Sequence, residues 1–138
     1  MKKSVVKTSI ISLMMIVLWG IPVMAQTKNY SYTLSVNGSE TGYAATKAGG
    51  SGFEKKYYVT QNFISRPTGS TRYFSYHSRY KGSQVSNGLK LTESDMKQHN
   101  NTYYSGKAVA NRSYKLYCKC TGSGHVSSVS TVTGRWTP

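Results

Sequence analysis

The sequence predicts an all-β protein, either an antiparallel β-sandwich or a small barrel. Three observations support this prediction for the chain of 138 residues. Apolar and polar residues alternate with a period of two in several short runs, clusters of glycine, serine and proline separate those runs, and the last run is rich in β-branched residues. Several short strands at such spacing are typical of one two-layer β-domain.

The first 25 residues are interpreted as a secretory signal peptide that forms a helix and is then removed. Three lysines lie among the first seven residues, and residues 10–19 are apolar apart from one serine. Residues of small or medium size, Val23 and Met24, then precede Ala25. This order is typical of a signal peptide. A membrane anchor is the alternative, but the apolar run is shorter than the roughly 20 residues that span a bilayer, and Pro22 follows it. We therefore expect cleavage after Ala25, export to the cell surface or medium, and no membrane span after processing.

Residues 26–138 are predicted to form a single domain with an aromatic core. Leucine, isoleucine, valine and phenylalanine together number only 15 there, and a low aliphatic content with a high charge is otherwise typical of disorder. All 12 tyrosines lie in this part of the chain. Tyrosine buries a large ring while its hydroxyl finds a polar partner, so we expect a folded domain.

Two runs in the first half of this domain predict half-buried strands. The run NYSYTLSVNG ends in the turn dipeptide Asn37–Gly38 and alternates cleanly before it. Its predicted inward residues are Tyr30, Tyr32, Leu34 and Val36. The run FEKKYYVTQNF is predicted to place Phe53, Tyr57, Val59 and Phe63 on one side.

Three later runs predict further strands, and one segment departs from the pattern. TRYFSYHSRY places Arg72, Phe74, Tyr76 and Tyr80 on one face and Tyr73, Ser75, His77 and Arg79 on the other. SYKLYCKC aligns Tyr114, Leu116, Cys118 and Cys120. HVSSVSTVTGRW is rich in β-branched residues. In LTESDMKQHNN, Thr92 as a helix N-cap with Asp95 three places later predicts a single helical turn.

The only two cysteines, Cys118 and Cys120, point to the same side of a predicted strand. Their β-carbons then stand about 6.5 Å apart, whereas a disulfide needs about 3.8 Å. A structural zinc site usually needs four ligands, and His125 is the one histidine near them in the sequence. Buried, packed thiols are the favoured interpretation. A strained or intermolecular disulfide and a metal site are the alternatives, and no cofactor is expected.

The charge of the mature chain favours anionic partners. Removal of three N-terminal lysines leaves 15 basic side chains against four acids, a formal net charge of +11. Such an excess creates a positive potential over much of the surface. For an exported protein we expect an anionic wall polymer, a lipid headgroup or an acidic glycan as partner, with nucleic acid as a less favoured alternative.

Basic and aromatic residues are interleaved in four short runs of the chain. On a sheet, such interleaving places cations and rings on one outer face, where they can hold a polyanion. The alternative is an ordinary solvated face opposite a tyrosine-rich core. The candidate polyanion-binding residues are Lys55, Lys56, Tyr58, Arg72, Arg79, Lys81, Lys115, Tyr117 and Lys119.

No usual catalytic constellation can be assembled from these residues. The four acids are dispersed, neither GxSxG nor HExxH occurs, and no glycine-rich phosphate loop opens a helix. A cysteine and a histidine separated by one turn, as Cys118 and His125 are, occur often by chance. We therefore predict a protein that binds without catalysis.

The layout resembles small exported all-β proteins of Gram-positive bacteria that carry a domain of unknown function. The resemblance rests on the signal peptide, on YSYTLSVNG at residues 30–38 and on the closing SVSTVTGRWTP at residues 128–138. It implies no activity and no functional residue. The layout is more loosely similar to exported β-sandwich bacteriocins of the lactococcin 972 type. That similarity implies a bacteriocin-like antimicrobial, or an associated immunity protein, as the alternative function.

Overall fold

The computed structural model describes residues 24–50 and 52–138, and this part of the chain is built from β-strands. Its strands, in chain order, are β1 (Lys28–Ser35), β2 (Ser39–Thr46), β3 (Lys56–Ser65), β4 (Arg72–Tyr80), β5 (Ser83–Gln84), β6 (Leu89–Thr92), β7 (Gln98–Thr102), β8 (Ser113–Gly122) and β9 (Val129–Thr137). The predicted signal helix falls on residues outside the described ranges, so the helix and the cleavage after Ala25 stay predictions.

The strands form two antiparallel sheets that pack face to face, as expected for a β-sandwich. Sheet 1 has the order β1-β9-β3-β7. Sheet 2 has the order β2-β8-β4, and both β5 and β6 pair with β4 on its remaining side. The all-β prediction is confirmed. Because β1 and β2 belong to different sheets, the turn at Asn37–Gly38 carries the chain from one layer to the other.

Tyrosine rings fill much of the space between the sheets. The buried tyrosines of the described chain are Tyr30, Tyr32, Tyr57, Tyr76, Tyr103 and Tyr114. The hydroxyl of Tyr32 in sheet 1 donates to the carbonyl of Leu116 in sheet 2 at 2.6 Å. The hydroxyl of Tyr76 donates to the side-chain oxygen of Gln61 at 2.9 Å. Since the hydroxyls of Tyr32 and Tyr76 have partners, these two rings are buried without the cost of an unsatisfied hydroxyl, whereas the buried hydroxyl of Tyr103 has no partner among the described residues.

A β-bulge in β3 corrects the predicted orientation of Phe63. Pairing with β9 shifts register between Gln61 and Phe63, so the side chains after the bulge exchange faces. Gln61 is buried, whereas 56% of Phe63 is exposed. Tyr57 and Val59, which precede the bulge, are buried as predicted.

The predicted helical turn at Thr92 is wrong. Thr92 ends β6, and a tight turn leads from it toward β7. The local hydrogen bonds nevertheless resemble those of a helix cap, because the Asp95 carboxylate accepts from the backbone N–H of Thr92 at 2.6 Å and from its hydroxyl at 2.8 Å. The capping signal therefore marks a turn between two strands.

Both cysteines are buried and unbonded in the inner face of β8, which confirms the favoured interpretation. Cys118 stands opposite Tyr76 and Cys120 opposite Phe74 on β4. Burial raises the pKa of the Cys118 thiol far above its usual value. Burial also raises the pKa of Cys120, although the nearby Arg72 opposes that shift. Neither thiol is therefore an activated nucleophile.

Candidate anion-binding face

Basic and aromatic side chains converge on the outer face of sheet 2. Along β4 and β8 every second residue fills the core, so the residues between them point outward. Ser75 stands between Lys90 of β6 and Lys119 of β8. Arg79 stands beside Lys115. We call the following residues the basic face: Tyr73, Ser75, His77, Arg79, Lys90, Lys115, Tyr117 and Lys119.

Aromatic rings support two of the cations on the basic face. The ammonium nitrogen of Lys90 lies 4.5 Å from the ring centroid of Tyr73. The guanidinium carbon of Arg79 lies 5.2 Å from the ring centroid of Tyr117. Contacts of this kind stabilise exposed cations by about 0.5–1 kcal/mol. They orient the positive groups without neutralising them, so the charge stays available to a ligand.

The acids of the domain lie away from these rows of cations. Glu93 accepts a hydrogen bond from Arg66 at 2.8 Å and forms with it the one ion pair of residues 24–50 and 52–138. Asp95 is bound to Thr92 in its turn. Glu40 stands opposite Cys118 in register, and so lies on the alternate side of β2 from its outward residues. Glu54, the fourth acid, precedes β3 of sheet 1, so among the described residues no carboxylate lies between the cations of the basic face.

A pocket of about 330 Å³ lies at one end of the basic face. Its lining residues are Thr41, Ala44, Arg79, Tyr80, Lys81, Gly82, Ser113 and Lys115. Three of them are cations, three carry hydroxyls and none is acidic. The Nη1 of Arg79 makes a long hydrogen bond to the hydroxyl of Thr41 at 3.3 Å, and its Nε has no partner. Because a guanidinium carries several N–H donors, those of Arg79 other than the buried Nε remain for a ligand.

A tight hairpin turn places Lys81 at this pocket. Lys81 and Gly82 connect β4 to β5 with φ angles of 48° and 81°, the positive values that two-residue hairpin turns require. The Lys81 ammonium lies 5.6 Å from the ring centroid of Tyr80, and the guanidinium carbon of Arg112 lies 4.4 Å from the same centroid. Positive charge thus continues from the face around the end of the sheet.

His77 contributes a ring to the basic face but no charge at neutral pH. Burial, followed by the neighbouring Arg79, lowers the pKa of His77 from 6.5 to about 4. Its ring is stacked on Tyr117. The charge of the face therefore comes from lysine and arginine alone at neutral pH.

The structure brings together five of the nine predicted binding residues. Arg79, Lys81, Lys115, Tyr117 and Lys119 all lie on the basic face or at its pocket. Lys56 and Tyr58 lie on β3 of sheet 1, and Lys55 immediately precedes that strand. They belong to the opposite side of the sandwich and cannot act on the same short ligand segment.

Arg72, another of the predicted binding residues, is buried and does not lie on the basic face. Its Nε donates to the Ser130 hydroxyl at 2.9 Å and its Nη2 to the Ser128 hydroxyl at 2.9 Å. Its Nη1 donates to the carbonyl of Ser123. The physical reason is its register, since Arg72 shares the inward face with Phe74. These hydrogen bonds hold the connection between β8 and β9 against the start of β4.

Sequence reasoning left out four residues of this region: Tyr73, His77, Lys90 and Arg112. Alternation already placed Tyr73 and His77 on the face of Arg79, so a strand-by-strand reading of that run could have found them. Lys90 lies between two leucines, the pattern of an outward residue in a strand. The helical interpretation of the next residues obscured that signal.

Comparison with protein-family models finds no match, and neither a characterised protein nor a solved structure is significantly similar to this chain. The resemblances drawn from the sequence therefore stay expectations. Within the described residues, no three His, Cys, Asp or Glu side chains are grouped so as to hold a metal ion. In the same ranges, no helix is long and apolar enough to cross a membrane.

Proposed function

We propose that this protein is exported and binds anionic polymers of the cell envelope, without catalysis, through the basic face. One observation carries the proposal: four cations and three aromatic rings share one sheet face that holds no carboxylate. A face built only to be solvated has no need to segregate its charges in this way, because mixed signs suit solubility equally well.

The spacing of the cations suits an extended ligand. Residues two apart on a strand are separated by about 6.6 Å and neighbouring strands by about 4.8 Å. Lys115 and Lys119 therefore lie about 13 Å apart along β8, with the Tyr117 ring between them. A chain with regularly spaced phosphates or carboxylates can contact several cations at once, and the central ring can pack against the sugar or polyol units that link them.

The pocket beside Arg79 supplies a stronger position for one anionic group. Three cations and three hydroxyls line it, and guanidinium groups bind phosphate and carboxylate oxygens with two parallel hydrogen bonds. We expect the polymer to be anchored there and to run along the basic face toward Lys90.

Retention of the purified mature protein on isolated Gram-positive cell walls tests this function. Binding should fall steeply as salt rises from about 50 to about 300 mM, because screening and counterion release both weaken it. Walls stripped of phosphate-bearing polymer should retain much less protein. Anionic lipid vesicles and soluble acidic glycan serve as competing ligands. Retention that is flat across this salt range would contradict the proposal.

A matched pair of variants separates the basic face from net charge alone. The first combines Arg79→Gln, Lys90→Gln, Lys115→Gln and Lys119→Gln. The control combines Lys28→Gln, Lys55→Gln, Lys97→Gln and Lys107→Gln, all at exposed positions elsewhere. Both variants lose four charges. The first should lose most wall binding and the control should keep most of it, whereas equal losses would show that no particular face is used.

A further inference from the structure

The outer face of sheet 1 differs chemically from the basic face. Hydroxyl and amide side chains cover it, with few charges among them. Its outward residues on β1, β9, β3 and β7 include Asn29, Ser31, Thr33, Thr131, Thr133, Arg135, Thr137, Lys56, Tyr58, Thr60, Phe63, Gln98, Asn100 and Thr102. A polyanion has little reason to prefer this side, so a ligand here would be of another class.

A depression of about 280 Å³ lies on this face. It is lined by Thr27, Tyr58, Thr60, Gln98, Arg135 and Thr137. Antiparallel register explains why these residues meet. Gln98, Thr60 and Arg135 lie side by side across β7, β3 and β9, and Tyr58 lies beside Thr137 in the next row.

Differences in side-chain length create the hollow. Short threonines occupy its middle on the two central strands, and the longer Tyr58, Gln98 and Arg135 stand around them. The hydroxyls of Thr27 and Thr137 are hydrogen-bonded at 2.8 Å, which fixes one side of the floor. From Gln98 to Arg135 the site crosses two strand spacings, about 10 Å, which is wide enough for one sugar ring with its substituents.

Tyr58 is the aromatic wall of this depression. The nearby carboxylate of Glu54 raises the pKa of Tyr58 to about 12. The phenol therefore stays neutral at physiological pH, and its ring face remains free to pack against a ligand.

We propose that this depression binds one pyranose ring of a neutral glycan. The C–H face of the sugar packs on the ring of Tyr58. The amide of Gln98 and the guanidinium of Arg135 bind neighbouring sugar hydroxyls, since an amide both donates and accepts and a guanidinium donates in a planar fork. Threonine hydroxyls on the floor can donate or accept as the sugar requires. A small specific site needs a few polar groups that converge on the ligand beside an aromatic wall.

A neutral ligand fits the charges better than an anionic one. Arg135 is the one charged residue among the six that line the depression, and the carboxylate of Glu54 lies near Tyr58. This site does not depend on the basic face, which lies on the other sheet, so the two can succeed or fail separately. If both operate, the protein joins an anionic polymer on one side to a neutral glycan on the other.

The site can be tested by titrating the ¹⁵N-labelled mature protein with maltose, cellobiose and chitobiose, each to about 20 mM. This range covers the roughly millimolar dissociation constants expected for one sugar unit. At least one sugar should shift the amide signals of Tyr58, Thr60 and Arg135 while the signals of the basic face stay in place. Tyr58→Ala should weaken that binding by about tenfold or more, and Tyr58→Phe should largely retain it because the ring remains. Tyr73→Ala, on the opposite face, is the matched control and should bind normally.

Three results would overturn the proposal. The first is no shift with any of the three sugars, and the second is equal binding by Tyr58→Ala. The third is a response to glucuronate without any response to the neutral sugars. The quadruple variant of the basic face should still bind the sugar, which keeps failure of this site distinguishable from failure of polyanion binding.

Discussion

The imidazole of His77 lies almost flat on the phenol ring of Tyr117, with centroids 4.1 Å apart and planes inclined by 17°. The two residues are directly paired across β4 and β8, and Arg79 lies over the same tyrosine ring. Stacking keeps both rings half-buried at the centre of the basic face. Burial and the neighbouring Arg79 lower the pKa of His77, so the stacked imidazole is neutral at physiological pH.

His77 should make the folded state less stable at mildly acidic pH. Its pKa is about 4 when folded and 6.5 in the unfolded chain, so the unfolded state binds more protons between these values. The stabilising effect of a neutral His77 is complete above pH 6.5 and is lost as pH falls toward 4. Urea unfolding at pH 7 and pH 4.5 measures the loss, which should be smaller in His77→Phe. His125→Gln, at an exposed position, should lose as much stability as the parent, and an unchanged loss in His77→Phe would contradict this role.

The thiols of Cys118 and Cys120 should be protected in the folded protein. Both are buried and free, and a raised thiol pKa slows reaction with disulfide reagents. A thiol titration should find two groups that react slowly in buffer and at once in denaturant. Replacing both by alanine should leave the protein folded and cost about 1–3 kcal/mol through lost packing. Fast reaction of either thiol in buffer would show that β8 is not packed as described.

Gly134 should tolerate no side chain. It lies on β9 where a β-carbon would overlap the carbonyl oxygen of Thr60 and come within 2.6 Å of the Tyr30 hydroxyl. Gly134→Ala should therefore destabilise the domain by about 3 kcal/mol, the upper end of the usual cost of overpacking. Gly88→Ala is the control, since its nearest neighbour would be a backbone oxygen at 4.0 Å. Thermal unfolding of both variants provides the comparison, and equal melting temperatures would refute the close approach of β3 and β9.

Regular alternation predicted the faces of several strands correctly. The inward positions of β1, such as Tyr32, and of β8, such as Cys118, follow from a period of two that nothing interrupts. Alternation failed at Phe63 because a bulge adds one residue to β3, and no sequence signal marks that residue. It also assigns a face without saying which sheet the strand joins, because sheet membership depends on pairings between distant segments.

That limit explains why the candidate site was predicted only in part. Lys56 with Tyr58 and Lys115 with Tyr117 have the same local pattern, yet β3 and β8 lie in different sheets. The sequence therefore merged two faces of different chemistry into one. Lys90 became visible only when β6 was seen to pair with β4.

Arg72 should prove essential for stability and dispensable for polymer binding, the reverse of what the sequence suggested. Its guanidinium donates to Ser123 and Ser128 in the connection between β8 and β9, and to Ser130 at the start of β9. Lysine preserves the charge but cannot reproduce this planar set of donors. Arg72→Lys should thus cost about 1.5–3 kcal/mol, as expected for lost hydrogen bonds to a charged group.

Hydrogen exchange and wall binding together check this assignment. Exchange of the amides of residues 123–128 should become faster in Arg72→Lys, while retention on cell walls at a temperature where the variant is folded should match the parent. Lys90→Gln is the matched comparison, because it should leave exchange in that connection unchanged and weaken wall binding. A folded Arg72→Lys that binds walls as poorly as the quadruple variant would return Arg72 to the binding residues, since its buried position could then not account for the loss.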